Sequence, residues 1–139
     1  MKGSGEPSAA NRDSWPGLLG HAIARVGESD TAEVLGSGDV HVLGTPRLIA
    51  LMEAATIEAL RGVLPAGETT VGTAINVVHR RPTPVGAEVV ASARVTSVDG
   101  KKIHFEVSAD HVLPTGERVE GIGRGTVTRA VVSREDFAG

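Results

Sequence analysis

The chain has 139 residues, 40% of them hydrophobic and 22% charged, with 14 Lys and Arg against 17 Asp and Glu. In length and composition that is one globular domain, able to bury roughly 70% of its unfolded surface. The weakly acidic balance, the three aromatics (Trp15, Phe105, Phe137) and the absence of cysteine argue against nucleic acid and exclude disulfides, thiolate metal sites and cysteine nucleophiles.

Residues 1–17 read as a disordered arm ending in Trp15-Pro16-Gly17, and residues 18–139 as a single domain. The polar, Gly/Ser-containing start lacks the apolar core of a signal peptide, and no apolar run approaches the ~20 residues of a membrane span. The cytoplasm is therefore the expected location, with no membrane partner. Leu18 to Val26 reads as a first strand, and the small, polar stretch Glu28 to Asp39 as a loop.

Thr45-Pro46 opens the clearest element. Threonine is a good N-cap and proline is favoured in the first helical turn. Leu, Met, Ala and Glu dominate from Pro46 to Leu64, which predicts a helix that Gly62 and Pro65 end. Four strands are expected after it, over 69–79, 87–98, 101–112 and 117–132. Asp99-Gly100 marks a hairpin between the second and third of these. Alternation is clear in both: Val89, Ala91, Ala93 and Val95 face one way in one strand, and Ile103, Phe105, Val107 and Ala109 in the next. One sheet face is buried and the other is wet. In the last strand Val119, Gly121, Gly123, Gly125 and Val127 share a face, as though another backbone came close there. The expected class is α+β: one long helix in the palm of a curved antiparallel sheet of about five strands.

Glu53 is the residue out of place. On a helical wheel Arg47, Glu58 and Arg61 define the wet side, while Glu53 projects between Leu60 and Leu64, flanked by Ile49 and Ile57. A carboxylate on an apolar side is costly unless paired or hydrogen-bonded. It is therefore a functional group, a structural ion pair, or a group on an exposed helix edge. Arg129 shares the inward face of the last strand if no bulge intervenes, which makes it the expected partner. His79 ends an apolar strand, where it serves either as an acid, base or hydrogen-bond donor or as a half-exposed histidine at a sheet rim. No two histidines have metal-ligand spacing, so no metal is expected. Gly121-Ile122-Gly123 fails as a dinucleotide fingerprint because Thr126 takes the third glycine position and no helix follows.

The motifs, taken together, are more specific than the outline. Gly44-Thr45 stands eight residues ahead of the glutamate in Leu51-Met52-Glu53-Ala54-Ala55. Val71-Gly72-Thr73-Ala74-Ile75 follows, then His79, then Thr83-Pro84-x-Gly86. The set, from about Val34 to the C-terminus, resembles the fluoroacetyl-CoA thioesterase family of the hot-dog fold. The resemblance implies a catalytic Thr45, Glu53 and His79, an active-site Gly72, a conserved Arg129, and hydrolysis of an acyl-CoA thioester at a homodimer interface. Coenzyme A enters only as part of the substrate, so no separate cofactor is implied. Arg80 and Arg81, beside the expected mouth, either meet coenzyme A phosphates or form a solvated strand end. One departure stands out: Leu35-Gly36-Ser37-Gly38-Asp39-Val40 has no aromatic residue where the fluoroacetyl-specific enzyme carries a phenylalanine lid. The rival readings are an enoyl-CoA hydratase of the same fold and a non-catalytic acyl-CoA or small-molecule binding protein.

Overall fold

A computed structural model describes residues 12–137. Strand β1 (Leu19–Arg25) leads through a short 3-10 turn (Glu28–Asp30) to a four-residue helix α1 (Ala32–Leu35). The long helix α2 (Thr45–Ala59) follows, then β2 (Glu68–His79), β3 (Glu88–Asp99), β4 (Lys102–Val112), β5 (Arg118–Ser133) and a last turn of helix α3 (Arg134–Phe137). The five strands form one sheet in the order β1-β3-β4-β5-β2, antiparallel at every pairing. Both β1 and β2 are therefore edges.

The sheet closes around α2 because the alternation leaves small and branched apolar residues on its inner face. Val89, Ala91, Ala93 and Val95 of β3 and Ile103, Phe105, Val107 and Ala109 of β4 are all buried. Leu48, Leu51, Met52, Ala55 and Ala59 of α2 fill the palm. Burying each large side chain of this set contributes about 1.5–3 kcal/mol. Gly20 on β1 sets how close the helix lies. A Cβ there would sit 2.2 Å from the Ala55 carbonyl oxygen and 2.3 Å from the Ala59 nitrogen.

Several expectations shift. Of the N-terminal arm expected over 1–17, residues 1–11 lie outside the described residues. Trp15, by contrast, is 1% exposed and packs into the core. The Gly17 N–H donates to the Val95 carbonyl at 2.8 Å, which ties this stretch to β3. The loop expected over Glu28 to Asp39 contains the 3-10 turn and α1, whose N-cap Thr31 accepts from the Val34 N–H. Helix α2 ends at Ala59 rather than Leu64, because the chain continues in tight three-residue turns from Leu60 to Val63. Gly44, not Thr45, is its N-cap. Thr45 is the first helical residue, which leaves its hydroxyl for another partner.

The three glycines of β5 turn out to have separate reasons. Gly121, at φ +68°, forms a bulge with open space around it. Gly123 makes room for Leu48 and Met52 of α2, and Gly125 lies against the β2 backbone at Asn76 and Val77. The bulge falls between the pairs His111↔Val119 and Ala109↔Gly123. It inserts two residues into β5, so the inward parity survives and Arg129, 5% exposed, points inward.

Gly20→Ala should destabilise the fold by about 3 kcal/mol or more, since the clash is with helix backbone that cannot step aside. Thermal unfolding measures this, and a Tm unchanged from wild type would contradict the packing described.

Candidate active site

The expected residues form two clusters. The first lies at the N-terminal end of α2. The last residue of β2, His79, reaches the helix start, where its Nδ1 and the Thr45 hydroxyl are 2.8 Å apart. The His79 Nε2 is buried with no hydrogen-bond partner. Burial holds the imidazole below the ordinary histidine range, opposed by the Arg81 main chain, so the neutral ring is the resting form at pH 7. Both side chains line a cleft of about 290 Å³, together with Gly38, Val40, Arg80 and Arg81. Arg80 and Arg81 are exposed. Their main-chain N–H groups are anchored on the Ile122 carbonyl, at 2.7 and 3.3 Å.

The far wall of this cleft, Ser37 to Val42, is held by a contact that the sequence did not suggest. His41 lies between two carboxylates, with Nδ1 2.5 Å from Glu33 Oε1 and Nε2 3.0 Å from Glu28 Oε1. The hydrogen bond to Glu33 first, and then the Glu28 charge, hold this imidazole above its usual range.

The second cluster surrounds Glu53, two turns along α2. Its side chain is 31% exposed and its Oε2 is 3.7 Å from the Arg129 guanidinium. Gly72 pairs directly with Arg129 across β2 and β5. A Cβ at Gly72 would lie 2.7 Å from Glu53 Oε2. The missing side chain is thus what lets the carboxylate lie against β2. A register shift between Gly72 and Ala74 sits beside the cluster, and bulges often re-aim a strand next to active sites. Glu53 therefore occupies the helix margin rather than the packed core. Ile57, one turn on, is 48% exposed, so the stripe that the wheel assigned to the interior is open along this edge.

The two clusters do not meet within one chain. Eight residues of helix from Thr45 to Glu53 rise about 12 Å. Seven residues of strand from Gly72 to His79 extend roughly 23 Å. Two further contacts escaped the sequence reading. Thr70 is buried and accepts a hydrogen bond from Arg129 Nε at 2.8 Å. Its signal was its place two residues before Gly72, on the same strand face. Thr83, of the Thr-Pro-x-Gly motif, is fully buried with its hydroxyl 2.7 Å from His111 Nδ1. That gives His111 a structural role. Among the described residues no group of His, Asp and Glu is placed to hold a metal ion.

Residues 26–135 match the family profile of the fluoroacetyl-CoA-specific thioesterases. The chain belongs to this family. It is 38% identical over 96 residues to the fluoroacetyl-CoA thioesterase of Streptantibioticus cattleyicolor, an alignment covering 69% of this chain and 65% of that relative. The chain thus spans just under two thirds of that protein's length. The solved structure of the fluoroacetyl-CoA thioesterase FlK superposes with a TM-score of 0.76 at 32% identity, over 88% of this chain and 90% of that one. A hot-dog-like protein from Thermanaerovibrio acidaminovorans gives 0.73 at 26%, over 88% and 86%. A thioesterase superfamily member from Thermus thermophilus, at 21% identity and TM-score 0.75 over 88% and 86%, shares the fold. The fold is the hot-dog fold.

His79 should titrate below the ordinary histidine value of 6.5. NMR titration of its imidazole measures this directly, and a midpoint at or above 6.5 would contradict the burial described. The sign follows from linkage: the unfolded chain takes up the proton first, so the neutral ring's contribution to stability falls away as pH drops below about 6.5.

Proposed function

We propose that this protein hydrolyses a small acyl-CoA thioester to the free acid and coenzyme A, at a site built from two protomers. The observation that carries the reading is the setting of Glu53. It is a carboxylate at a helix margin, held against a strand with no side chain, faced by a buried guanidinium, and open on one side. A group that served only as a core ion pair would be closed in.

The second protomer follows from the spacing. Strand β2 is an edge, and Gly72 to Asn76 and Val78 are exposed along it. An unpaired edge of this length is a template for another strand. Two β2 strands paired antiparallel about a two-fold axis near Ile75 and Asn76 bring Gly72 of each chain opposite the partner's His79. The same operation sets each Glu53 beside the Thr45–His79 pair of the other copy. Variants of FlK have been solved in complex with fluoroacetate and CoA and with acetyl-CoA, which supports the substrate class.

In this arrangement Glu53 either attacks the thioester carbonyl carbon or takes a proton from an attacking water. Attack forms an acyl anhydride and expels the coenzyme A thiolate, and water then cleaves the anhydride. Neutral His79 shares a hydrogen bond with the Thr45 hydroxyl at Nδ1, and the pair stands at the cleft wall. This hydroxyl–imidazole pair donates a hydrogen bond to the reacting thioester, as neutral imidazoles do in other active sites. The Gly72 N–H offers an oxyanion donor in a strand that a carbonyl can approach closely. Arg80 and Arg81 at the mouth suit the phosphates of coenzyme A. No cofactor is needed beyond the coenzyme A of the substrate itself. The cytoplasm, where acyl-CoA esters are found, suits this activity. The small and aliphatic cleft wall, Gly38 and Val40 among it, lacks any aromatic gate, so this reading does not extend to selectivity for a fluorinated acyl group.

Glu53→Ala and His79→Ala should each lower kcat/KM on acetyl-CoA and short acyl-CoAs by about a hundredfold or more, with the fold intact by circular dichroism. Release of free thiol measures it. Near-wild-type turnover in either variant would overturn the role assigned to that residue. Hydration of crotonyl-CoA, or acyl-CoA binding without turnover, would instead support the rival readings.

A further inference from the structure

Arg129 is the one charged group within ion-pair distance of Glu53 among the described residues. Three other charges on α2 and β2 are engaged elsewhere: Arg47 with Asp30, Glu58 with Arg61, and Glu68 with Arg12. A buried guanidinium facing a single carboxylate ordinarily closes on it as a two-pronged pair at about 2.7–2.9 Å. Here it does not. The nearest approach, Nη1 to Oε2, is 3.7 Å, beyond hydrogen-bond length.

The reason is on the neighbouring strand. Arg129 Nε donates to the Thr70 hydroxyl at 2.8 Å, and Nη2 donates to the Thr70 carbonyl at 3.0 Å. Both Thr70 and Arg129 are buried, at 9% and 5% exposure. One residue thus occupies the Nε–Nη2 edge of the guanidinium and leaves Nη1 turned to Glu53. Burial pushes the Arg129 guanidinium down from its usual range while the Glu53 charge pulls it up; an arginine nevertheless stays charged.

We propose that Thr70 is a positioning residue for Glu53: it holds the Arg129 charge in front of the carboxylate and keeps it from being captured. The inference rests on the reading of Glu53 as the reacting carboxylate. A closed pair would tie up both carboxylate oxygens, one of which must attack or accept a proton. A tethered arginine supplies the opposing charge and leaves those oxygens free. The role has a geometric requirement, an acceptor at the position of Thr70 Oγ1, which serine meets and valine does not.

The test compares Thr70→Val, which keeps the shape and removes the acceptor, with Thr70→Ser, which keeps the acceptor. Thr70→Val should lower kcat about tenfold or more with KM within about twofold, and Thr70→Ser should stay within about threefold of wild type. Thr70→Ala carries the same expectation as valine, should the valine variant fold poorly. A second readout does not depend on turnover: the Arg129 Nε–H resonance in a 15N–1H spectrum. It should be protected from solvent exchange in wild type and Thr70→Ser, and shifted or exchanging in Thr70→Val. Unchanged kcat or an unchanged Arg129 resonance in Thr70→Val would overturn the tether, as would an equal loss in Thr70→Ser. If the wild type turns over no acyl-CoA at all, the proposed function falls, while the spectrum still decides the tether.

Discussion

Helix α2 is a rigid spacer, and the functional reading follows from its length. Thr45 and Glu53 lie on one helix, and Gly72 and His79 on one strand packed beside it. Neither element bends to bring its two ends together. The helix is fixed by a filled apolar palm and by the close approach at Gly20. The chain therefore presents two half-sites. One is a hydroxyl–imidazole pair in a small cleft, and the other a carboxylate facing a buried arginine. The proposed hydrolysis needs both within reach of one carbonyl, and a two-fold pairing along the open edge of β2 would supply that.

The same packing governs the electrostatics. Arg129 is inward because β5 keeps its parity through a bulge that inserts two residues. It is buried because β2 covers it, with glycine directly opposite. The charge that would be costly in the core is satisfied by Thr70 on one side and by Glu53 on the other. Glu53 sits at the helix margin, where one side remains open. At the far cluster, burial works on His79 in the same sense as on Arg129, against the proton, and there it keeps the ring neutral. The chain thus carries a carboxyl group and a neutral imidazole in two separate clusters, the pair that the proposed acyl transfer would use.

Much of this was legible in the sequence. Strict alternation in β3 and β4 and the run from Thr45 identified the sheet and the helix, because burial of one face imposes those periods. The wheel singled out Glu53, and parity singled out Arg129. Features set by tertiary contact were less legible. Trp15 sits in a polar, Gly-containing stretch and is buried by the end of β3, which local pattern does not report. The wheel placed Glu53 on the apolar side and left a core ion pair and an exposed edge both open, because it does not separate a covered apolar flank from an open one; the Ile57 flank is open in one chain. Thr45 looked like a cap because threonine commonly caps, yet Gly44 takes that place and the hydroxyl goes to His79. The partners of Arg129, His41 and His111 lie 59, 8 or 13, and 28 residues away. Only the folded register brings most of them into contact.

The division of the site between protomers is tested most directly by complementation. Glu53→Ala and His79→Ala chains, each inactive as a homodimer, are co-expressed under two affinity tags and the mixed dimer is isolated. If Glu53 of one chain works with His79 of the other, the mixed dimer holds one intact site and one doubly damaged site. It should then recover about half the wild-type activity per dimer. If both residues act within one chain, every site in the mixed dimer lacks one of them. A mixed dimer as inactive as its parents would contradict the account.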